Sequence, residues 1–406
     1  MLTISRNIGN AKTAGLATDL GLTDYQWSWV LYAFYISYIV FEWSTVLWKI
    51  LPAHSYIAVL CIWQVLDQLF PSHENANGLL VGLLATRSLL GIFESVFGCG
   101  APYFLSLFYQ RKELGLRVSL LLGMSPVANC FASALAYGIT HIRGSMESWR
   151  YLFIIVVYFY LPDSPGTAKF LTETEQTEAI ERLQEIDTTA KNKVRWSQVL
   201  SGLKDYKNYV HMAIHFCCNY SFAGLSNFLP SIIQAMGYTL LCCVAAAFLS
   251  DRLANRGGLI TFFAILGTIG YIMLTCMDET KTAARYAGIW LATCGIFPAL
   301  ALNVTWLLNN QGGESKKGAG MAILAIFGQC SSLISSSVFP DADAPLYTKG
   351  CAIGSALTGC IAILAVGLSI SLSRENKRRD RLYGAVGDER VDVTDGDANV
   401  KFRYLI

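Results

Sequence analysis

Apolar residues run along this chain in blocks far longer than the stripe of a soluble amphipathic helix. From the start, the blocks are Trp27–Trp48, Ser55–Phe70, Gly78–Tyr109, Leu114–His141 and the shorter Tyr151–Leu161. A polar stretch, Pro162–Asp205, interrupts them. Six more follow: Tyr209–Met236, the short Tyr238–Ser250, Leu259–Met277, Tyr286–Leu308, Gly318–Phe339 and Cys351–Leu372. A bilayer core of ~30 Å is crossed by about 20 helical residues, so most of these blocks predict transmembrane helices. The opening peptide, "MLTISRNIGNAKTAGLATDLGLTD", is too polar for a signal peptide and reads as the remainder of one further span. Two halves of six spans joined by a polar loop is a transporter pattern.

The polar positions between the blocks set an orientation. Alternate loops hold Lys49, then Arg111, Lys112 and Arg117, then Lys169, Arg182, Lys191, Lys193, Arg195 and Lys204. The alternation continues with Arg252 and Arg256, with Lys316 and Lys317, and with the tail "SRENKRRDR". The opposite set, such as "PSHENANG" and "FPDADAP", is poor in Lys and Arg, with Arg143, Arg150, Lys281 and Arg285 as exceptions. Cytoplasmic loops carry the basic excess, so the central loop and the C-terminal tail are expected in the cytoplasm. In the central loop, Ile180, Leu183 and Ile186 recur among Glu residues and predict a short helix. The last ~30 residues lack the apolar content to pack and are expected to be disordered.

Composition agrees with the pattern. Hydrophobic residues make up 53% of 406, and charged residues only 15%. Mean hydropathy is +0.42. A soluble domain carries about a quarter charged residues. A net charge of +2 excludes a strongly basic nucleic-acid binder. Most of the twelve cysteines lie inside apolar blocks and none forms CxxC, which reads as reduced core thiols. No H-x-x-H, P-loop, G-x-S-x-G or kinase signature occurs, so no enzyme, metal or cofactor is expected.

The chemistry concentrates in "ATRSLLGIFESVFGCGAPYF". Arg87 and Glu94 lie seven residues, two helical turns, apart on one face, with Gly91 between them. A charge at membrane depth costs at least ~2.5–3.5 kcal/mol, so such residues face a bundle interior or a water-filled cavity. One reading makes Arg87 an anion-binding group and Glu94 a carboxylate that cycles its proton; the other makes them packing charges satisfied by neighbouring spans. Weaker polar positions are His215 and Asn219, one turn apart, then Asn303, Trp306, Asn309 and Asn310, and Gln329 one span later. These line a polar cavity or bond between helices. In "SPVANCFASALAYG", Ala128, Ala132 and Ala136 repeat every fourth position, the spacing that lets two helices approach closely in lipid.

Several stretches then coincide in order: "RNIGNAKTAGLATDLGLTDYQWSWVLYAFYISYIVFE", "RSLLGIFESVFGCGAPYFLSLFYQRKE", "LPDSPGTAKFLTETE", "FLSDRLANRGG", "GIFPALALNVTWLLNNQGGESKKGAGMAI" and "DAPLYTKG". Together they resemble the fungal organic-anion permeases of the major facilitator superfamily. These are the allantoate, nicotinate, pantothenate and biotin permease relatives within the anion:cation symporter branch. The resemblance implies an all-α multi-pass membrane protein of two six-helix bundles. The bundles would be residues 1–161 and 206–374, with a cytoplasmic linker over 162–205 and a disordered cytoplasmic tail over 375–406. It implies a monomeric plasma-membrane transporter that takes up a small organic anion or vitamin together with protons, without cofactor. Arg87 would bind substrate and Glu94 couple protons, in the span-four pattern R-x-x-x-G-x-x-E. Asn7, Asn10, Asn219, Asn303, Trp306 and Gln329 would line the substrate path, and Asp251, Arg252 and Arg256 would latch a gate.

The chain departs from the family pattern at three spans. The first starts partway through, the sixth is only Tyr151–Leu161 and the eighth only Tyr238–Ser250. At 1.5 Å per residue the last two reach ~17 and ~20 Å, short of a bilayer core. All three are expected to be truncated, which motivates an alternative: a non-transporting paralogue, a nutrient sensor, or the product of a mis-spliced gene model.

Overall fold

The computed structural model describes residues 23–43, 76–109, 114–124, 195–225, 229–253, 255–278, 280–339, 343, 346–384, 399 and 402–406. Every regular element among them is an α-helix: α1 (Asp24–Phe41), α2 (Ala76–Phe108), α3 (Leu114–Met124), α4 (Trp196–Lys204), α5 (Tyr206–Leu225), α6 (Leu229–Leu253), α7 (Arg256–Cys276), α8 (Thr282–Asn310), α9 (Glu314–Val338) and α10 (Thr348–Tyr383). Four of these, α7 to α10, are long and apolar enough to cross a bilayer. Their outer faces match that solvent. On α7, Phe262, Ile265, Ile269 and Ile272 are exposed at three- and four-residue spacing, and on α10 Ile363, Val366 and Ile370 follow the same period.

Local chemistry sets the helix ends. Thr23 caps α1 in a reciprocal box, accepting from the Gln26 N–H while its own N–H donates to the Gln26 side chain. Asn255 does the same work for α7, taking the Gly258 N–H at 2.9 Å. Within the apolar helices, hydroxyls bond back to their own carbonyls: Thr261 to Gly257, Thr268 to Ala264, Thr293 to Ile289 and Thr305 to Ala301. Such groups are satisfied at membrane depth without a partner helix.

The chain divides into two compact units, one from Met1–Ala101 with Ala128–Val194 and one from Pro102–Val127 with Arg195–Ile406. The division falls inside α2 at Pro102, a residue that lacks the N–H to close the helix ladder. In the first unit, Phe34, Tyr38 and Leu90 form the core between α1 and α2. In the second, Ile214, Cys218, Ile260, Ala264, Leu302, Trp306, Ile361 and Leu368 form a continuous core joining α5, α7, α8 and α10.

Helices α7 and α8 approach backbone to backbone. A Cβ on Gly270 would run into the backbone N of Ala292 and lie 2.6 Å from the Gly288 carbonyl. A Cβ on Gly295 would lie 2.5 Å from both the Gly267 N and the Phe263 carbonyl. Two helix backbones therefore meet directly, as small residues allow in lipid.

Two sequence expectations change here. The eighth helix is not a 13-residue stub: α6 covers Leu229–Leu253, 25 residues. The uninterrupted apolar run Tyr209–Met236 concealed a helix end at Leu225, so its last residues belong to α6. Nor is the tail disordered from residue 375. The last helix continues to Tyr383, with Arg378 and Arg379 ion-paired to Glu375 along its face, and residues 402–406 pack onto the second unit. The shortened first and sixth spans, the Ala128–Ala136 repeat and the Ile180–Ile186 helix lie outside the described residues.

Candidate functional site

In the first unit, α2 carries Arg87 half-buried and Glu94 buried, at 2% exposure. Gly91 lies between them against α1, where a Cβ would run into Ser37 Oγ and the Phe34 carbonyl and come within 3.1 Å of the Tyr38 N. The glycine thus sets how close α1 comes to the face that bears both charges. Sequence reasoning passed over a third ionisable group in this unit. Glu42 sits at the end of α1 inside the block Trp27–Trp48, and its side chain is fully buried. The signal was present as a carboxylate within an apolar run. Asn7 and Asn10 lie outside the described residues.

In the second unit, the predicted gate residues separate. Asp251, at the end of α6, accepts from Arg256 Nη2 at 2.8 Å and from the Leu116 N–H of α3 at 3.1 Å. Gly115 leaves room for this, since a Cβ there would press on the Asp251 carboxylate. Arg256 is buried at 2% exposure, whereas Arg252 is exposed on the helix surface. One ion pair thus joins α6, α7 and α3, and Arg252 stands apart from it.

Four polar positions form a network at the same end of the helices. Asn303 and His211 clasp reciprocally: their side chains meet at 2.8 Å and the Asn303 amide donates to the His211 carbonyl at 3.1 Å. Trp306 stands edge-on to the His211 ring at 5.0 Å and donates its indole N–H to the Leu405 carbonyl at 2.8 Å. Asn310 bonds both backbone groups of Leu405. Farther along α5, Asn219 is half-buried and bonds to the His215 carbonyl at 3.3 Å. Both side chains flank Gly328 of α9, where a Cβ would lie 2.7 Å from each. His215 is buried, and its Nδ1 has no hydrogen-bond partner among the described residues. Gln329 follows on α9, half-buried. Asn303 and Trp306 are therefore held by protein partners, while His215 and Asn219 meet α9 at Gly328.

Four helices able to cross a bilayer, ionisable groups on one further apolar helix and an ion pair joining helix ends define a class: a multi-pass membrane protein. The family model of the Major Facilitator Superfamily matches residues 2–358, and the chain belongs to that superfamily. It is a family of transporters rather than enzymes. Among similar proteins, an uncharacterised transporter of Schizosaccharomyces pombe is 30% identical over 98% of this chain and 88% of its own length. The high-affinity nicotinic acid transporter of Saccharomyces cerevisiae is 28% identical over 98% of this chain and 80% of its own. The major facilitator-type transporter hxnP of Emericella nidulans is 26% identical over 98% and 88%. Among solved structures, the proton:xylose symporter XylE aligns with a TM-score of 0.66 at 14% identity, covering 90% of this chain and 91% of that one. The transporter FucP in its outward conformation aligns at 0.59 and 14% identity, covering 90% and 95%. At those identities the structures establish the fold.

Proposed function

We propose that this transporter imports a small organic anion or vitamin, a carboxylate such as nicotinate, allantoate or pantothenate, together with protons across the plasma membrane. The observation that carries the reading is the single face of α2 on which Arg87 and the buried Glu94 flank the close-packed Gly91. An arginine there offers a fixed cation and planar donors to a carboxylate. Glu94 supplies a group whose charge is costly at that depth and is relieved by taking a proton. The similarity to a nicotinic acid transporter supports the anionic substrate class. Within the second unit, His215 and Asn219 beside Gly328, and Gln329 next along α9, are proposed as polar positions on the transport path. Asp251 and Arg256 latch the gate at the cytoplasmic end, on the side of the linker and tail, as the distribution of Lys and Arg supports.

Uptake of labelled nicotinate, allantoate, pantothenate and biotin into cells lacking their own permeases tests the reading. Accumulation of at least one is expected, rising as external pH falls. Glu94→Gln is expected to abolish pH-driven accumulation and to leave exchange of preloaded substrate intact; an unchanged pH dependence removes the proton role. The second reading, a non-transporting relative, is favoured by one observation. The alignment to the nicotinic acid transporter spans 436 positions and takes in 98% of this 406-residue chain, so it carries gaps on this chain's side. No accumulation of any substrate, with the protein confirmed at the cell surface, selects that reading.

A further inference from the structure

The segment after the last helix packs back within the second unit and is held by side chains from three helices, α5, α8 and α10, and by a backbone N–H of a fourth, α7. Asn376 of α10 clasps Tyr404, donating to its carbonyl at 2.8 Å and accepting its N–H at 3.0 Å. Asn310 of α8 clasps Leu405 in the same reciprocal way, at 2.9 and 2.8 Å. The Trp306 indole adds a second donor to the Leu405 carbonyl, and Arg379 of α10 donates to the carbonyls of Asn399 and Phe402. The Tyr404 hydroxyl accepts from Lys207 of α5 at 2.9 Å and from Arg379 at 3.3 Å, and both cations also lie over its ring. Phe402 and Tyr404 are 5% and 6% exposed, members of the same core as Trp306, Ile260 and Leu372.

Most of these contacts read backbone, and two amide side chains each satisfy a donor and an acceptor on one residue. That is how a groove recognises an extended peptide, with aromatic side chains as anchors. Because groove and peptide share one chain, association is intramolecular and needs little affinity per contact. With the segment seated, the Trp306 and Asn310 side chains find their partners on its backbone.

The far end of the segment touches the latch. The Arg256 N–H, first in α7, donates to the Ile406 carbonyl, while the Arg256 guanidinium pairs with Asp251, which holds the Leu116 N–H. We propose that Phe402–Ile406 is a strap seated in a backbone-reading groove, and that its seating holds Arg256 in place and so stiffens the Asp251–Arg256–Leu116 latch. The seat stands on its contacts alone; the consequence for the gate rests on the latch reading above.

Residue-resolved amide hydrogen exchange on the full chain in lipid nanodiscs tests both parts without requiring transport. In the wild type, the Tyr404 and Leu405 amides are expected to exchange at least about tenfold more slowly than open chain, the protection of about one to two net hydrogen bonds. Leu405→Pro deletes the N–H that Asn310 accepts and leaves every helix intact. It is expected to bring Tyr404 to the open-chain rate and to speed exchange at Leu116 about threefold to tenfold. Open-chain exchange at Tyr404 and Leu405 in the wild type overturns the strap. Slow exchange there, with Leu116 unchanged in Leu405→Pro, overturns its link to the latch. A failure of uptake alters neither outcome.

Discussion

Asp205 sits where α4 gives way to α5, with Lys316 at 2.7 Å and Lys207 at 3.2 Å from one carboxylate oxygen. Its other oxygen accepts the Lys207 N–H and so caps the first turn of α5. Burial pushes this carboxyl up, but the two lysines and their hydrogen bonds outweigh burial and hold it below its usual 3.8. A carboxylate depressed in the folded state stabilises the fold above its unfolded value, and that stability is lost as pH falls through the lower folded value. Asp205→Asn is therefore expected to cost about 1.5–3 kcal/mol near neutral pH. The gap to wild type should close as pH drops below 3.8, which thermal unfolding across pH measures directly. An equal gap at every pH would mean that charge is not the cause. Spacing along the chain marked Asn303 and Trp306 as polar at depth but not what holds them, because their partners, His211 and Leu405, are 92 and 99 positions away. Glu42 was legible in principle, as an acid inside an apolar block.

At the scale of elements, hydropathy placed the bodies of α7, α8, α9 and α10 well, since long apolar runs have few solutions in a bilayer. It failed where one run held two helices, at the α5–α6 break, because apolar residues mask a helix end as readily as a helix middle. The Ala128–Ala136 repeat lies outside the described residues; among those described, glycines set the close approaches, at the α7–α8 seam and at Gly91 against α1. A graded pair of substitutions tests that seam. Gly270→Ala would drive a methyl into the α8 backbone and is expected to destabilise by about 1–3 kcal/mol, as overpacking does. Gly359→Ala, with nothing within 4 Å, is expected to be neutral or to stabilise by up to about 1 kcal/mol through helix propensity. Melting temperatures of the two purified variants should move in opposite directions or by clearly different amounts.

At the scale of the molecule, composition and block length made the fold class legible, and quoted motifs made the superfamily legible. The strap was not, because its largely apolar run is only five residues, Phe402–Ile406, at the end of a polar stretch, and its burial comes from a groove assembled by α5, α7, α8 and α10. Orientation belongs to this scale too. Helix α7 begins at Arg256, beside the latch, and its 21 residues rise ~31 Å to Cys276, which is exposed. With the latch in the cytoplasm, Cys276 should react with a membrane-impermeant maleimide on intact cells, and that signal should vanish in Cys276→Ser. A difference between the two that emerges only after permeabilisation reverses the orientation. The glycine seam also bears on how the protein is made. Helices α7 and α8 are joined by residues 277–281 alone, so their mating faces are neighbours along the chain. The seam can close as soon as α8 has left the insertion machinery, before α9 and α10 exist, giving the second unit a preassembled hairpin on which later helices dock.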